Sequence, residues 1–379
     1  MLKLLLKTHK LEKLYVILAS AISLIVAFAS FNQSTRIENG LSLIGANPLL
    51  FTSLIALIST FSLVISSFLY FQSHKKLKLI SIESETKVMT SLKLVMAFVV
   101  FLLFLDLIIL GIARAYLIGS SVERYPADSA FLVKMMYLVV RYSNLIFTGI
   151  QATLFLSLMG TIIGLVLAIF LVILRTQTID IRDHEIIQFL KKIGLAFVKA
   201  YVTIIRGTPM IVQAMIFFYL MREVFFSLGF NNAQVNTFWT PFAAGLFTVS
   251  VNTTAYLIEV LRGGIIGVDK GQIEAGRSLG FSSFKTYLLI TFPQALRNSM
   301  PAIGNEFIVN IKDTAVLTLI QVVDLFAVTK TIAGNHYSFV EAFIIAASIY
   351  LLLTYGTSKI LIAIEKRLDI QSKEIVSSN

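Results

Sequence analysis

Runs of about 20 apolar residues recur along this chain, and they constrain its fold more than any other feature. A run of this length crosses the hydrocarbon core of a bilayer as an α-helix. A bilayer offers no water to unpaired backbone groups, so only helices and closed barrels span it. The chain has 379 residues, of which 57% are hydrophobic and only 14% are charged, against roughly 25% charged residues in soluble domains. We therefore predict an all-α membrane protein.

Eight apolar runs of this kind divide the chain into two parts of different character. The first three runs contain few polar residues, whereas the last five hold nearly all of the glycine, proline and polar residues at membrane depth. We predict an N-terminal extension (1–140) with about three transmembrane helices, a core (141–368) with five, and a cytoplasmic tail (369–379). The eight predicted spans are residues 14–31, 49–71, 95–119, 145–174, 200–226, 239–261, 300–320 and 339–363.

The distribution of lysine and arginine predicts the orientation of these spans. Cytoplasmic loops of membrane proteins carry an excess of both residues. With the N-terminus inside, the cytoplasmic segments hold several times as many lysines and arginines as the outside segments. This places both termini and the polar loop 262–299 in the cytoplasm. The same rule accounts for the net charge of +11, so the charge is not taken as a sign of nucleic-acid binding.

Several kinds of chemistry are excluded by the composition. The chain has no cysteine and only four scattered histidines, which excludes disulfides and a thiolate nucleophile and argues against a structural metal site. No G-x-x-x-x-G-K-[ST] phosphate-binding loop occurs. We therefore predict that the chain is not an enzyme, holds no metal and carries no cofactor of its own.

The cytoplasmic loop contains the phrase "DKGQIEAGRSLGFSSFKTYLLITFPQAL" at residues 269–296. Asp269 suits the N-cap of a first short helix, which ends at Gly280 because glycine adopts a positive φ easily. Ser282 or Ser283 suits the cap of a second helix, which Pro293 is expected to end. The spacing alone leaves two interpretations open: a loop that packs on its own bundle, or a docking surface for a soluble partner.

The phrase "EAGRSLG", followed after nine residues by "ITFP", resembles the EAA loop of permease subunits of ATP-binding-cassette (ABC) importers. That pattern runs Glu-Ala-Ala, three residues, Gly, nine residues, Ile, any residue, Leu, Pro. Gly276 replaces the second alanine and Phe292 replaces leucine. Further phrases in residues 145–368, among them "YVTIIRGTPMIVQ", "NTTAYLIEVLRGGI" and "IKDTAVL", resemble the permeases that import polar amino acids of the histidine and glutamine type.

This resemblance implies a fold, a location and a set of partners. The last five spans are expected to form a type I ABC importer core (MetI-like) in the bacterial cytoplasmic membrane. The expected partners are ABC ATPase subunits that bind the ATP, a second identical or related permease, an extracytoplasmic binding protein and a polar amino acid substrate. The residues expected to couple the permease to the ATPase are Glu274, Ala275, Gly276, Arg277, Gly280 and Pro293.

Polar side chains within the spans are candidates for the substrate pathway, because they are costly in a bilayer. Lys312 and Asp313 supply a donor for the carboxylate and an acceptor for the ammonium of an amino acid. Structural pairing between helices is the open alternative, and for Asn252 it is hydrogen bonding between two helices. The candidate pathway residues are Asn252, Glu306, Asn310, Lys312, Asp313 and Thr314.

A last group of residues is predicted to act as hinges or structural contacts. In "RGTP", Thr208 is expected to cap a helix with Pro209 in its first turn. Glu259 and Arg262 can pair at i, i+3, and the following glycines are expected to form a hinge into the loop. A helix is also expected to start near residue 299 with Pro301 in its first turn. The predicted hinge and structural residues are Arg206, Gly207, Pro209, Glu259, Arg262 and Gly263.

Two alternatives to an importer subunit remain at this point. A self-sufficient secondary amino acid transporter often has two similar halves with broken helices in matching places, and no such internal repeat is visible here. A membrane anchor for an ATPase that transports nothing would not need charged residues at membrane depth, yet residues 305–314 contain them.

Overall fold

The computed structural model describes residues 14–25, 48–74, 82–104, 108, 111–177, 179 and 184–367. Within these ranges every regular element is helical, so the all-α class is confirmed. The chain divides into two compact units, Met1–Val140 and Arg141–Asn379. The predicted cytoplasmic tail 369–379 and residues 26–31 of the first predicted span lie outside the described residues.

Among the residues that the structure describes, the first unit contains three helices with apolar stretches and two shorter helices near its end. Residues of the first three helices form one apolar cluster around Val16, Ile55 and Met96. A hydrogen bond of 3.0 Å joins Ser20 and Ser62 across the first two helices. The helices are α1 (described over Leu14–Ile25), α2 (Pro48–His74), α3 (Ile82–Phe104), α4 (Gly111–Ser121) and α5 (Phe131–Arg141).

The second unit is a bundle built around a central helix, α10, which packs against α6, α7, α8 and α13. Its elements are α6 (Ser143–Thr176), α7 (Glu185–Gly207), α8 (Met210–Ser227), α9 (Asn232–Phe238), α10 (Pro241–Ile266), α11 (Lys270–Ser278), α12 (Ser283–Thr286), a π-helical turn (Tyr287–Thr291), α13 (Phe292–Asp313), a 3-10 helix (Thr314–Ile320), α14 (Leu325–His336) and α15 (Phe339–Arg367).

Two glycines one helical turn apart let α6 and α10 pack closely. A Cβ atom on Gly160 would overlap the side chain of Val249, and one on Gly164 would lie 3.0 Å from Thr253 Cβ. Small residues allow such close approach between membrane helices, where association depends on van der Waals contact and hydrogen bonds. The packing of α10 at the centre of the bundle therefore depends on these glycines.

Four helices of the described chain are long and apolar enough to cross a bilayer: α6, α8, α10 and α15. A fifth span results if the helical run Ser283–Ile320 and α14 are counted together, and these two are bent by 57° relative to each other. In the first unit the apolar helical stretches are shorter: Leu14–Ile25, Ile55–Tyr70 and Thr90–Phe101. The predicted span 95–119 covers the end of α3 and most of α4, and residues 105–107, 109 and 110 between them lie outside the described residues.

Two predicted spans in the core differ from the helices that the structure shows. The predicted span 200–226 is wrong at its start, because α7 ends at Gly207 and α8 begins at Met210. The predicted span 300–320 begins earlier, at Phe292, and Pro301 lies inside the helix rather than in its first turn. This run then tightens into the 3-10 helix and turns at Gln321, whose φ is +67°.

Candidate functional site

The polar loop between α10 and α13 folds much as predicted at its start. The Asp269 carboxylate accepts a hydrogen bond of 2.7 Å from the Gly271 N–H and caps α11. Gly280 follows α11 with φ +82°, the left-handed conformation that glycine adopts without a steric penalty. Ser282 caps α12 by accepting from the Lys285 N–H at 3.3 Å. These three predictions are confirmed.

The second half of the loop corrects the predicted end at Pro293. The chain does not end a helix there, because α12 continues through the π-helical turn Tyr287–Thr291 into α13. Proline lacks an N–H and its ring clashes with the carbonyl four residues earlier in a regular α-helix. The wider π turn just before Pro293, which lies in the first turn of α13, accommodates both effects.

The two faces of α11 have different surroundings. Gly276 is buried, and a Cβ atom there would lie 2.5 Å from Ile290 Cδ1 and 3.2 Å from Thr286 Cγ2. This glycine therefore seats α11 on its own loop and does not face a partner. The opposite face is exposed to solvent: Glu274, Ala275, Arg277 and Leu279, with the Leu279 side chain 76% exposed.

The C-terminal end of α10 is fixed by ion pairs and close packing. Glu259 pairs with Arg262 at 2.7 Å, as the spacing predicted, and also with Arg175 of α6 at 3.2 Å. The expected hinge at Gly263 and Gly264 is not present, because α10 continues to Ile266. The two glycines instead differ in their surroundings, since only Gly264 lies against another helix, α13.

The predicted pathway residues of α13 lie on different sides of the helix. Lys312 and Asp313 are exposed, and Glu306 is half-buried. Asp313 interacts electrostatically with both Lys312 and Glu306. A group of charges at this depth is costly against lipid, so this surface suits contact with another protein chain or with water.

Asn310 and Thr314 are buried within the bundle. The Asn310 amide donates hydrogen bonds to Thr161 Oγ1 of α6 at 2.8 Å and to Thr253 Oγ1 of α10 at 2.9 Å. One side chain thus joins three helices. Thr314, the first residue of the 3-10 helix, donates a hydrogen bond of 3.1 Å to the Ile311 carbonyl of α13.

The break between α7 and α8 is held by a buried glutamine. The predicted cap at Thr208 is wrong: Pro209 occupies the N-cap of α8, while the Thr208 hydroxyl donates back to Ile204 of α7. The Gln213 amide instead donates to the carbonyls of Ile205 at 2.7 Å and Thr208 at 2.9 Å. These are backbone acceptors that a helix end leaves without an intrahelical partner.

Asn252 takes part in this same network. It is 8% exposed, and its amide donates to Gln213 Oε1 at 2.9 Å. This position agrees with hydrogen bonding between two helices, which the sequence left open as an alternative to the pathway. Arg206, which follows Ile205 of this network, is exposed. Its guanidinium carbon lies 5.1 Å from the centre of the Tyr256 ring, and its charge also interacts with Glu306. Gly207 is the last residue of α7, and within the described structure no atom lies within 4 Å of a Cβ built on it.

Three structural residues were missed from the sequence: Arg175, Gln213 and Asp324. Arg175 and Gln213 have partners on other helices, so no local spacing identifies them. Asp324 is fully buried, where it caps α14 by accepting from the Ala327 N–H at 2.9 Å and also accepts from Thr318 Oγ1 at 3.0 Å. An aspartate directly before an apolar helical run is a recognised N-cap signal, and this one could have been found.

Residues 189–370 of the chain match the family described as "binding-protein-dependent transport system inner membrane component". The chain also resembles a solved structure, described as an amino acid ABC transporter with histidines. The TM-score is 0.52 at 31% identity, and the match covers 63% of this chain and 99% of that chain.

Three similar proteins with curated names illustrate the relationship. A nopaline transport system permease protein of Agrobacterium fabrum is 32% identical over 231 residues, which are 60% of this chain and 89% of that protein. A glutamine transport system permease protein of Escherichia coli is 31% identical, over 60% of this chain and 94% of that protein. A histidine/lysine/arginine/ornithine transport system permease protein of Escherichia coli is 36% identical, over 58% of this chain and 87% of that protein.

Proposed function

The chain belongs to the permeases of amino acid ABC transporters, and we propose that it is the transmembrane subunit of an ATP-driven importer of polar amino acids. Members of this family are multi-pass proteins of the inner membrane and are not enzymes themselves. The observation that carries the proposal is the short helix α11, which is seated on the bundle through one face and exposed on the other.

Coupling to an ATPase takes place at the exposed face of α11. A helix that transmits force must be held firmly on the side away from its partner. Gly276 supplies this contact by lying against Thr286 and Ile290. Glu274, Ala275 and Arg277 then remain available to the ATPase, which binds and hydrolyses the ATP. The loop and both termini lie in the cytoplasm, in keeping with the excess of lysine and arginine on that side.

The substrate pathway runs along the exposed polar surface of α13. Lys312 and Asp313 carry opposite charges at membrane depth, and both are exposed in the single chain. A second permease, identical or related, covers this surface in the assembled importer and encloses the pathway between the two chains. The charges of the pathway suit a zwitterionic amino acid, whose carboxylate needs a donor and whose ammonium needs an acceptor.

The substrate class follows from the relatives and from this charge pattern. The curated names of two relatives specify glutamine and histidine, lysine, arginine and ornithine. We infer a polar amino acid as the substrate of this chain as well, delivered by an extracytoplasmic binding protein. The first unit, Met1–Val140, lies before residues 189–370, the region that matches the family.

A cysteine at Ala275 is expected to crosslink to the partner ATPase in native membranes. The chain contains no cysteine, so Ala275→Cys introduces a single thiol on the exposed face of α11. A reagent that joins this thiol to a nearby lysine should produce an adduct containing the ATPase, identified by mass spectrometry. The matched control is Ser227→Cys, an exposed thiol at the far end of α8, which should give no such adduct. An inserted and active Ala275→Cys chain that never captures an ATPase would contradict the proposed coupling surface.

The variant Asp313→Asn is expected to raise the KM for amino acid uptake about tenfold, because a hydrogen bond to a charged group contributes roughly 1.5–3 kcal/mol. Initial uptake rates of radiolabelled amino acids in cells with the complete transporter give this value. Asp128→Asn, the same change at an exposed site of the first unit, is the control and should leave KM unaltered. Unchanged kinetics in Asp313→Asn for every amino acid tested would remove this residue from the pathway.

A further inference from the structure

Several helices of the second unit end with the same backbone hydrogen bond, in which an N–H donates to the carbonyl five residues earlier. The residue just before the donor adopts a left-handed conformation in this motif, and glycine is usual there. The bonds run from Phe230 to Phe225 after α8 (3.1 Å), from Phe281 to Gly276 after α11 (3.2 Å), from Val322 to Leu317 after the 3-10 helix (3.3 Å) and from Ser338 to Ala333 after α14 (3.1 Å).

Two of these helix ends use glycine and two do not. Gly229 after α8 and Gly280 after α11 have φ of +89° and +82°. Gln321 and Tyr337 hold the same position with φ of +67° and +52°, and no other non-glycine residue of the described chain has a positive φ. A Cβ atom strains this conformation. Both strained residues flank one helix, α14, and strain of this kind concentrates at functional sites.

The side chains of the two strained residues point away from the bundle. Gln321 and Tyr337 are both exposed, and Tyr337, at 88%, is the most exposed large apolar or aromatic residue of the described chain. Glycine would fit the backbone at either position without strain. The reason for a glutamine and a tyrosine therefore lies in what their side chains contact outside this chain.

The helix between them is held firmly against α6 at both ends. The Leu325 N–H donates to Thr153 Oγ1 at 3.1 Å where α14 begins. Where it ends, the Tyr142 hydroxyl lies 2.8 Å from His336 Nε2, directly before Tyr337. The tyrosine ring is thus carried by a fixed turn, and a fixed contact residue loses less conformational entropy when a partner binds.

The face of α14 that looks away from the bundle is polar. Lipid tails do not cover polar groups well, so such a face lies against water or protein. An interface with a permanent partner such as a second permease is more apolar than the protein surface, whereas an interface that forms and dissociates resembles that surface. The exposed residues of this face are Lys330, Thr331, Gly334 and Asn335.

We propose that the exposed face of α14, with Gln321 and Tyr337 at its two ends, is the surface on which the extracytoplasmic amino-acid-binding protein docks. The proposal rests on the proposed function, which places this turn on the outer side of the membrane. Tyr337 is the anchor and enters an apolar pocket of the binding protein, as tyrosines at the centre of interfaces do. Lys330 pairs with a carboxylate of the same partner.

The test measures uptake by the complete transporter in proteoliposomes while the external concentration of its amino-acid-binding protein is varied. Tyr337→Gly is expected to raise the half-saturating concentration of the binding protein at least about tenfold, the effect of losing an interface anchor. The Tm of the purified chain should not fall, because the backbone strain is relieved. Tyr337→Phe keeps the ring and should stay close to the wild type. Lys330→Gln should raise the half-saturating concentration severalfold and weaken its dependence on salt.

Tyr355→Ala is the control, since it removes another exposed tyrosine on the part of α15 remote from the turn, and it should leave half-saturation unchanged. Unaltered half-saturation in inserted Tyr337→Gly and Lys330→Gln transporters overturns the docking surface. If Tyr337→Gly lowers only the Tm, the ring serves as an anchor in the membrane interface and the surface is likewise rejected. Wild-type uptake that does not depend on the added binding protein would overturn the proposed function as well, so the two failures are distinguishable.

Discussion

Replacing Gly264 by valine is expected to prevent the chain from reaching its folded state in the membrane. A Cβ atom at this position would overlap the Ser299 hydroxyl and lie 2.6 Å from the Ala295 carbonyl oxygen. The serine can rotate away, but the carbonyl belongs to the backbone of α13 and moves only with the helix. Overpacking of this kind costs ~1–3 kcal/mol or more. We expect a large loss of folded protein, measured by gel-filtration recovery and by the Tm of the purified chain.

Gly263 is the matched control for this prediction. It is the preceding residue of the same helix, and within the described structure no atom lies within 4 Å of a Cβ built on it. Gly263→Val and Gly264→Val change the intrinsic helix propensity by the same amount, so a difference between them isolates the contact with α13. Equal yield and equal Tm for the two variants would show that this contact is not important for folding.

Replacing Gly280 by valine is expected to abolish uptake while the chain still inserts. Gly280 has φ +82° with open space around it in the described structure, so the penalty comes from the backbone and not from a clash. A left-handed conformation costs roughly 1–2 kcal/mol for an ordinary residue, and more for a β-branched one. The strain is relieved by moving α11 relative to α12, which would displace the surface that we propose contacts the ATPase. Uptake by the complete transporter, measured together with ATP hydrolysis, should show hydrolysis without transport.

Two controls separate coupling from strain. Gly280→Asn should retain most of the uptake, because asparagine tolerates this conformation better than valine. Gly229 has φ +89° and equally open surroundings within the described structure, but it lies between α8 and α9, away from the loop. Gly229→Val therefore carries the same strain and should leave transport coupled. Normal uptake in Gly280→Val would contradict the role of α11 as the coupling helix.

The positions of the spans were predictable because the energy of burying apolar residues in a bilayer depends mainly on composition. The spans around α6, α10 and α15 were found to within a few residues. The break at residues 208–209 was indicated by "RGTP", where a helix start was predicted, but the cap was assigned to Thr208, whereas Pro209 occupies the N-cap and Gln213 binds the free carbonyls of Ile205 and Thr208. The π turn before Pro293 was missed, since a proline is compatible with either an end or a local widening of a helix.

The candidate site likewise combines contacts that local spacing predicts with contacts that form only in the folded bundle. The pair of Glu259 and Arg262 follows from a spacing of three residues, whereas Arg175 is 84 residues away from Glu259 and joins only in the folded bundle. The caps at Asp269 and Ser282 are local and were predicted. Gly276 faces inward because it lies against Ile290 of the π-helical turn. Local spacing does not show this contact, so the sequence alone could not distinguish an inward face of α11 from a docking face.

The hydrogen bonds of Asn310 have a mechanical consequence. They join α13 to α6 and α10 where no water is available to replace them, so sliding any of these three helices past another would break at least one. We therefore expect the three helices to move together when the proposed importer changes the side to which it opens. The loop that carries α11 leaves these helices through α10 and returns to them through α13. A displacement of the loop would then reach the three helices through both α10 and α13, and we expect the bending that accompanies transport to occur in the helices outside them.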